Sequence, residues 1–321
     1  MRIALVVMIL NEEEHLPTFL ASLGRQTRPP DRAVLLDDGS TDGSAEIAAQ
    51  FSRDHPWAQL VRRAARGPER DRLVSASVWA SFQSAADDLR AEADFDVVAK
   101  VDGDLRLTPH LLEEIEARFA TDPELGLTGP YLAEVDATGA RHRLPWRPEH
   151  VGGAVKFYRR ACYEDVFPLP ALLNFDMVDE VKARSRGWRT ASFEAVDGDP
   201  IHLRPHGTYD GALRGFRRWG RAEYVSGTHP LSVLYVGVQR LRARPRVLGG
   251  LNYLGGWIGA AVRGVPRYEP DLRALRRREQ LDLMRSRLAT LTTRRTPPER
   301  LGPPGAPAAP STARSRARGP R

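Results

Sequence analysis

The 321-residue chain contains a single cysteine, Cys162. An internal disulfide framework is therefore excluded, and a reducing compartment, the cytoplasm, is the expected setting. Cys162 sits in RRACYEDV, which reads as a helix, and packing is favoured over a catalytic thiol there. Long apolar runs are also missing. The charge-free stretch 247–262 (VLGGLNYLGGWIGAAV) covers 16 residues and carries two Gly-Gly pairs and an Asn. A membrane-spanning helix takes ~20 apolar residues, so this stretch is expected to form a buried or interfacial hairpin of helices. No small-residue cleavage site follows the apolar start MRIALVVMIL, which reads as a buried first strand and not as a signal peptide. No internal repeat is present.

What is there is ordinary for a globular chain: 41% apolar and 28% charged residues, enough for one large α/β domain or two smaller ones. The net charge of +7 is concentrated at one end. Residues 294–321 hold seven arginines against Glu299, a charge of +6, and leave +1 for everything before them. The near-neutral body implies no folded basic face and no specific nucleic-acid partner. The tail is rich in Pro, Ala, Gly and Arg and is expected to be a disordered, solvated extension in preference to a contact with anionic lipid or RNA.

Residues 3–10 (IALVVMIL) form a continuous apolar run, as expected of a strand covered on both faces. Asn11 is expected to cap a following helix whose apolar stripe is Leu16, Phe19, Leu20 and Leu23. Residues 33–36 (AVLL) form a second strand ending at Asp37-Asp38-Gly39-Ser40, then a helix runs from Thr41 to Phe51. Residues 58–61 form a weak third strand, 72–90 a helix, and Asp96–Val101 a fourth strand stopped by Asp102-Gly103-Asp104. This alternation predicts an α/β fold with a mostly parallel central sheet and right-handed crossovers. Ligands in such sheets bind at the carboxyl ends of the strands. Asn11-Glu12, Asp37-Asp38 and Asp102/Asp104 all fall there. Further on, Gly152-Gly153 turns into a strand and helix, and 176–186 is a charged helix ended by Gly187. From about residue 208 the chain reads as helical, closing with an amphipathic helix marked by Leu272, Leu275, Leu281, Met284, Leu288 and Leu291, with arginines on its outer face.

Asp102 and Asp104 stand two residues apart after an apolar strand and can both reach one hard cation. Mg2+ or Mn2+ takes one or two carboxylates plus phosphate oxygens. Asp-x-Asp is common in turns; its position after a fourth parallel strand, downstream of two other polar strand ends, points to a metal. The series VVMILNEEEHLP, VLLDDGSTDGS and VAKVDGD resembles the family 2 glycosyltransferases of the GT-A fold, from about residue 3 to 108 and again across 150–205. The resemblance implies that the end of the first strand (Leu10, Asn11, Glu12) and Asp37/Asp38 hold the base and ribose of a nucleotide. It implies that Asp104 coordinates the metal on the donor diphosphate, with Asp102 nearby. The alternative for Asp38-Gly39 is a simple turn with a helix cap at Ser40 or Thr41. Met8 stands where the family often has Pro. The segment before Asp102 is longer than usual, and its Arg66, Arg70 and Arg72 are candidates to meet the diphosphate.

An inverting transferase needs a general base for the acceptor hydroxyl. The family carries it as an acid opening a helix about eleven residues before a glycine, which matches Asp176 and Gly187 in FDMVDEVKARSRGW. Phe175 stands where many relatives carry Glu. Asp179, one turn on, is the second candidate; the alternative is that Asp176, Asp179 and Glu180 merely solvate the helix start. His202 in IHLRPHG is implied as a third metal ligand, with His206 as its rival. Gly153 resembles the glycine turn that lets an acceptor sugar approach, and Arg217-Arg218-Trp219 is a weaker match to a diphosphate or acceptor clamp. Three parts are expected: a nucleotide-sugar-binding and catalytic domain over 1–205, a helical acceptor or membrane-proximal extension over 206–292, and the tail over 293–321. The expected activity is inverting transfer from a nucleoside-diphosphate sugar to a hydroxyl acceptor, a glycan or a lipid-linked one, with Mn2+ or Mg2+ and peripheral contact with the inner membrane face. A nucleotidyltransferase would want a Gly-rich, basic loop where this chain has Asn-Glu-Glu-Glu, and a non-catalytic nucleotide-sugar-binding protein would not need Asp102, Asp104 and Asp176 intact.

Overall fold

The computed structural model describes residues 1–64, 77–92, 94–135, 138–204, 211–241 and 246–293. Of the tail expected over 293–321, residues 294–321 lie outside them and Thr293 is the last residue of a helix. The residues Met1–Leu281 form one compact unit, and Asp282–Arg321 a second.

The first half follows the apolar pattern. Strand β1 (Ile3–Ile9), helix α1 (Leu16–Gly24), β2 (Arg32–Asp37), α2 (Ser44–Asp54), β3 (Ala58–Arg62), α3 (Ser77–Glu92) and β4 (Val97–Asp102) alternate along the chain. The strands β3, β2, β1 and β4 pair in parallel, with Val7 opposite Leu35 on one side and Val101 on the other. β1 is apolar throughout because both its faces are buried. Ile3, Leu5, Val7 and Ile9 enter one core, while Ala4, Val6 and Met8 enter the other. Alternate strand residues point to opposite faces, so a continuous run is what a doubly covered strand requires.

Beyond β4 come β5 (Leu105–Arg106), α4 (Leu111–Thr121), β6 (Leu125–Pro130), β7 (Ala133–Val135), β8 (Arg141–Arg143), β9 (Val155–Arg159), α5 (Arg160–Val166), α6 (Phe175–Ser185), β10 (Arg189–Phe193) and β11 (Ile201–His202). β9 lies antiparallel between β4 and β6, which makes a seven-stranded mixed sheet in the order β10-β6-β9-β4-β1-β2-β3. A second sheet, β5-β11-β7-β8, is an addition to the single sheet expected. Its short strands carry too little alternation to announce themselves in sequence.

Among the described residues four helices follow: α7 (Ala212–Val225), α8 (Pro230–Arg240), α9 (Leu248–Val262) and α10 (Pro270–Thr293). The expected helical hairpin over 247–262 is a single helix, α9. Gly250 and Gly256 serve close packing instead of a turn. A Cβ at Gly256 would lie 2.0 Å from Arg217 O, and one at Gly220 would lie 1.8 Å from Tyr253 O, so α7 and α9 touch backbone to backbone. The arginines of α10 are not all on its outer face either. Arg276 is buried, with Nη2 donating to Glu223 Oε2 at 2.7 Å and Nε to Thr228 Oγ1 at 3.1 Å.

Candidate active site

The carboxyl ends of β1 and β2 are laced together. Asn11 does not cap α1, which begins five residues later. It sits at φ 52°, where its N–H donates to Ser40 Oγ at 2.9 Å and its Oδ1 accepts the Thr41 N–H at 2.8 Å. Asn tolerates this left-handed backbone better than most residues. The Glu12 N–H donates to Ser44 Oγ at 2.8 Å. Leu10, half-buried, leads into this turn. Asp37 and Asp38 are both buried. Asp37 Oδ1 accepts the Ser40 N–H at 2.9 Å, and Oδ2 lies 3.4 Å from Arg62 Nε. Asp38 Oδ1 accepts from Ser81 Oγ, which accepts in turn from Arg63, both at 3.0 Å. Neither Ser40 nor Thr41 caps α2, which opens at Ser44.

The end of β4 faces this edge. The Gly103 N–H donates to Met8 O at 3.0 Å and the Asp102 N–H to Ala154 O at 2.8 Å, so Asp102-Gly103-Asp104 is pinned between β1 and the segment before β9. Lys100, buried in β4, ties Asp102 to Gly153: its Nζ donates to Asp102 Oδ1 at 2.5 Å and to Gly153 O at 2.8 Å. Burial raises the Asp102 carboxyl, Lys100 opposes that, and the charge of Asp104 adds to the rise. Asp104 is buried, and among the described residues its Oδ1 has no hydrogen-bond partner. β11 brings His202 over it, with Nε2 3.7 Å from that oxygen, while the ring's Nδ1 faces Arg204 O. Arg204 Nη2 donates to Glu12 Oε2 at 2.6 Å. Burial, then the nearby Asp104, push the Glu12 carboxyl up to about 7 against the pull of Arg204. Glu12, Asp102, Asp104, His202 and Arg204 thus converge from three separate chain segments.

On the Gly153 side stands the start of α6. Asp176 is half-buried, and a Cβ on Gly153 would lie 2.6 Å from its Oδ2. Only a glycine leaves that carboxylate room. Asp179 and Glu180 do not solvate the helix start: both are buried. Lys156 Nζ lies 2.9 Å from each Asp179 oxygen and 3.3 Å from Glu180 Oε1, and it also donates to Asp176 O at 2.5 Å. Tyr158 donates to Asp179 at 2.6 Å, and His150 Nδ1 lies 3.0 Å from Glu180 Oε1. Burial alone would raise the Glu180 carboxyl. The Lys156 ammonium, the His150 ring and the Val151 N–H outweigh it and hold the group down to about 2.

A family model described as glycosyl transferase family 2 matches residues 4–167, about half of the chain. The chain belongs to glycosyl transferase family 2. As a glycosyltransferase it has the GT-A arrangement, with parallel strands flanked by helices and a helical C-terminal region. Among solved structures it is similar to the mannosyltransferase PcManGT from Pyrobaculum calidifontis in complex with GDP-Man and Mn2+, at 17% identity and a TM-score of 0.51, covering 91% of this chain and 83% of that one. It is also similar to TarS 1–349 from S. aureus, at 16% identity and a TM-score of 0.49, covering 83% and 73%. A comparison with curated proteins gives no match. At 17% identity the likeness to PcManGT speaks for the fold alone.

In this glycosyltransferase, no three His, Cys, Asp or Glu side chains among the described residues stand close enough to hold a metal alone. A divalent cation nevertheless fits the end of β4. A buried carboxylate oxygen without a partner is costly, and Asp104 Oδ1 is one, with an imidazole nitrogen beside it and a second carboxylate two residues away. Such a cation would complete its shell with phosphate oxygens. His206, Arg66, Arg70 and Arg72 lie outside the described residues. Arg217 is exposed on α7, where its carbonyl packs against α9, and Arg218 and Trp219 follow on the same helix. Sequence reasoning missed Lys100, Lys156 and Arg204. The signal for both lysines was present: each interrupts an otherwise apolar strand, VVAKV and AVKFY.

Proposed function

We propose that this glycosyltransferase moves a sugar, with inversion, from a nucleoside-diphosphate sugar to a hydroxyl acceptor. The observation that carries the reading is the buried, unpartnered Asp104 Oδ1 at the strand edge where the β1 and β2 ends are laced. Asn11, Glu12, Asp37 and Asp38, with Leu10 at the strand's end, line the region for the base and ribose. Asp102 and Asp104, with His202 as a neutral imidazole donor, would hold Mn2+ or Mg2+, which when bound neutralises the leaving diphosphate. Arg204 holds Glu12 in place beside Asp104.

Asp176 takes the proton of the acceptor hydroxyl at its carboxylate. Gly153 leaves the space in which that carboxylate and an incoming sugar can meet. Asp179 is a poor base by comparison, because Lys156 and Tyr158 occupy its oxygens and no solvent reaches it. Its work is to hold α6, so that Asp176 keeps its place. The acceptor is a glycan or a lipid-linked hydroxyl, and the setting is cytoplasmic with membrane-peripheral contact.

The test is donor turnover by Asp176→Asn beside donor affinity. Asn keeps the side-chain shape and cannot accept the proton. Affinity should survive while turnover falls ~10²–10⁴-fold, the usual worth of a general base. Turnover within a fewfold of wild type would rule out Asp176 as the base.

A further inference from the structure

Charge is divided sharply along this chain. Residues 1–210 hold 25 basic and 35 acidic side chains, net −10, whereas residues 211–293 hold 16 and 5, net +11. The near-neutral total before the tail conceals this split, so the absence of a basic region inferred from the total charge is corrected. Across 211–268 there are ten arginines and one acid, Glu223.

The same segment turns its large apolar side chains outward. On α8, Leu231, Leu234, Tyr235 and Val238 are 46–58% exposed. Their spacing of three, four and seven residues places them within about 100° of the helix circumference. On α9, Leu248, Leu251, Ile258 and Val262 are 51–82% exposed and fall within a similar arc. The inward faces combine glycines with a small core of Phe216, Val233 and Tyr253. A Cβ at Gly250 of α9 would lie 2.7 Å from Gly237 O of α8, and Gly256 meets α7 as described. Close glycine packing around this small core leaves the eight large apolar side chains of the two stripes on the outside, contrary to what water favours. Arg246, just before α9, and Arg263, just after it, are both exposed and bracket the stripe.

We infer that the outer faces of α8 and α9 lie on an anionic phospholipid bilayer, apolar side chains in the acyl boundary and arginines at the headgroups. The helices lie in the surface and do not cross it. The 15 residues of α9 reach about 22 Å against the ~30 Å of a hydrocarbon core. No helix among the described residues is long and apolar enough to span. An apolar stripe flanked by arginines is the composition of an interfacial helix. A second copy meeting this face with its own would bring together arginine-flanked stripes, with exposed Arg246 and Arg263 on each, from segments of net charge +11, and the tail carries the same sign with Leu301 as its one large apolar residue. Charge therefore favours the membrane over either.

The experiment is co-sedimentation of the full chain with phosphatidylglycerol-containing vesicles and with neutral phosphatidylcholine vesicles, at low and high salt. The wild type should bind the anionic vesicles, and binding should weaken on neutral vesicles and at high salt. The exposed substitutions Leu234→Glu and Ile258→Glu together should reduce binding roughly tenfold or more, with the melting temperature and nucleoside-diphosphate binding unchanged. Retained donor binding in that variant separates this surface from the donor site, so either inference can fail alone. Failure of the wild type to bind, or equal binding by the double variant, would overturn the proposal. So would binding lost on deletion of 294–321 but untouched by the two glutamates, or a dimer abolished by them in a protein that ignores vesicles.

Discussion

Replacing Lys156 with Met tests what holds the start of α6. The ammonium is fully buried, sits 2.9 Å from both oxygens of buried Asp179 and 3.3 Å from buried Glu180, and caps the Asp176 carbonyl. Methionine fills nearly the same volume, so little cavity forms. What changes is charge: two carboxylates less than 2% exposed lose the cation between them. Removing one partner of a buried pair costs about 3–5 kcal/mol, a large share of the ~5–15 kcal/mol that stabilises a domain. At ~2–4 °C per kcal/mol for a domain of this size, the melting temperature should fall by roughly 6–20 °C. Thermal denaturation followed by circular dichroism measures it. Adding Asp179→Asn to Lys156→Met should recover part of the loss, since one unpaired charge is then gone. A single variant that melts within about 2 °C of wild type would refute the reasoning, because it would mean that water or a rearrangement compensates both carboxylates.

Gly153→Ala should cost about 1–3 kcal/mol of stability, since the new Cβ would lie 2.6 Å from Asp176 Oδ2 and 3.0 Å from its Cβ, and donor turnover should fall up to ~100-fold as the carboxylate shifts; steady-state kinetics beside a melting curve decides. Gly220→Ala should lower the melting temperature strongly, since its Cβ would lie 1.8 Å from the Tyr253 carbonyl and must force α7 and α9 apart; an unchanged melt would show that the helices are not packed this closely. Glu180, held down to about 2, contributes stability that is complete above its ordinary value near 4.5 and is lost as pH falls toward 2. Asp179, raised first by burial, works in the opposite sense and reduces the net loss. Melting temperatures between pH 6 and 3 should therefore fall less steeply for Glu180→Gln than for wild type, and parallel profiles would contradict the assignment.

The first half of the molecule was legible because its strands are covered on both faces. β1 and the centre of β2 read as unbroken apolar runs and β4 as one interrupted by Lys100 alone before Asp102, and polar clusters after them mark the ligand edge of a parallel sheet. The Asn11 turn was misread: Asn before acids and an apolar stripe looks like a cap, yet the residue is needed to stitch the loop to Thr41. Asp179 reads as a second candidate base, with solvation of the helix start as the alternative for it and Glu180, and only the fold places Lys156 and Tyr158, more than 20 residues before Asp179, against its carboxylate. A buried charge is visible in sequence when it interrupts an apolar strand; it is invisible on a helix already rich in charge. The glycine pairs of α9 were misread as turns because a doubled glycine carries the same letters whether the chain bends or another backbone approaches.

Calorimetric titration of UDP and GDP into the protein, with Mn2+ and with a chelator, bears most directly on the donor site, with Asp104→Ala alongside wild type. Metal-dependent binding of one nucleotide is expected, weakened roughly tenfold or more both by chelation and by the loss of the Asp104 carboxylate. Equal affinity in all three cases would contradict a metal-held diphosphate at the end of β4.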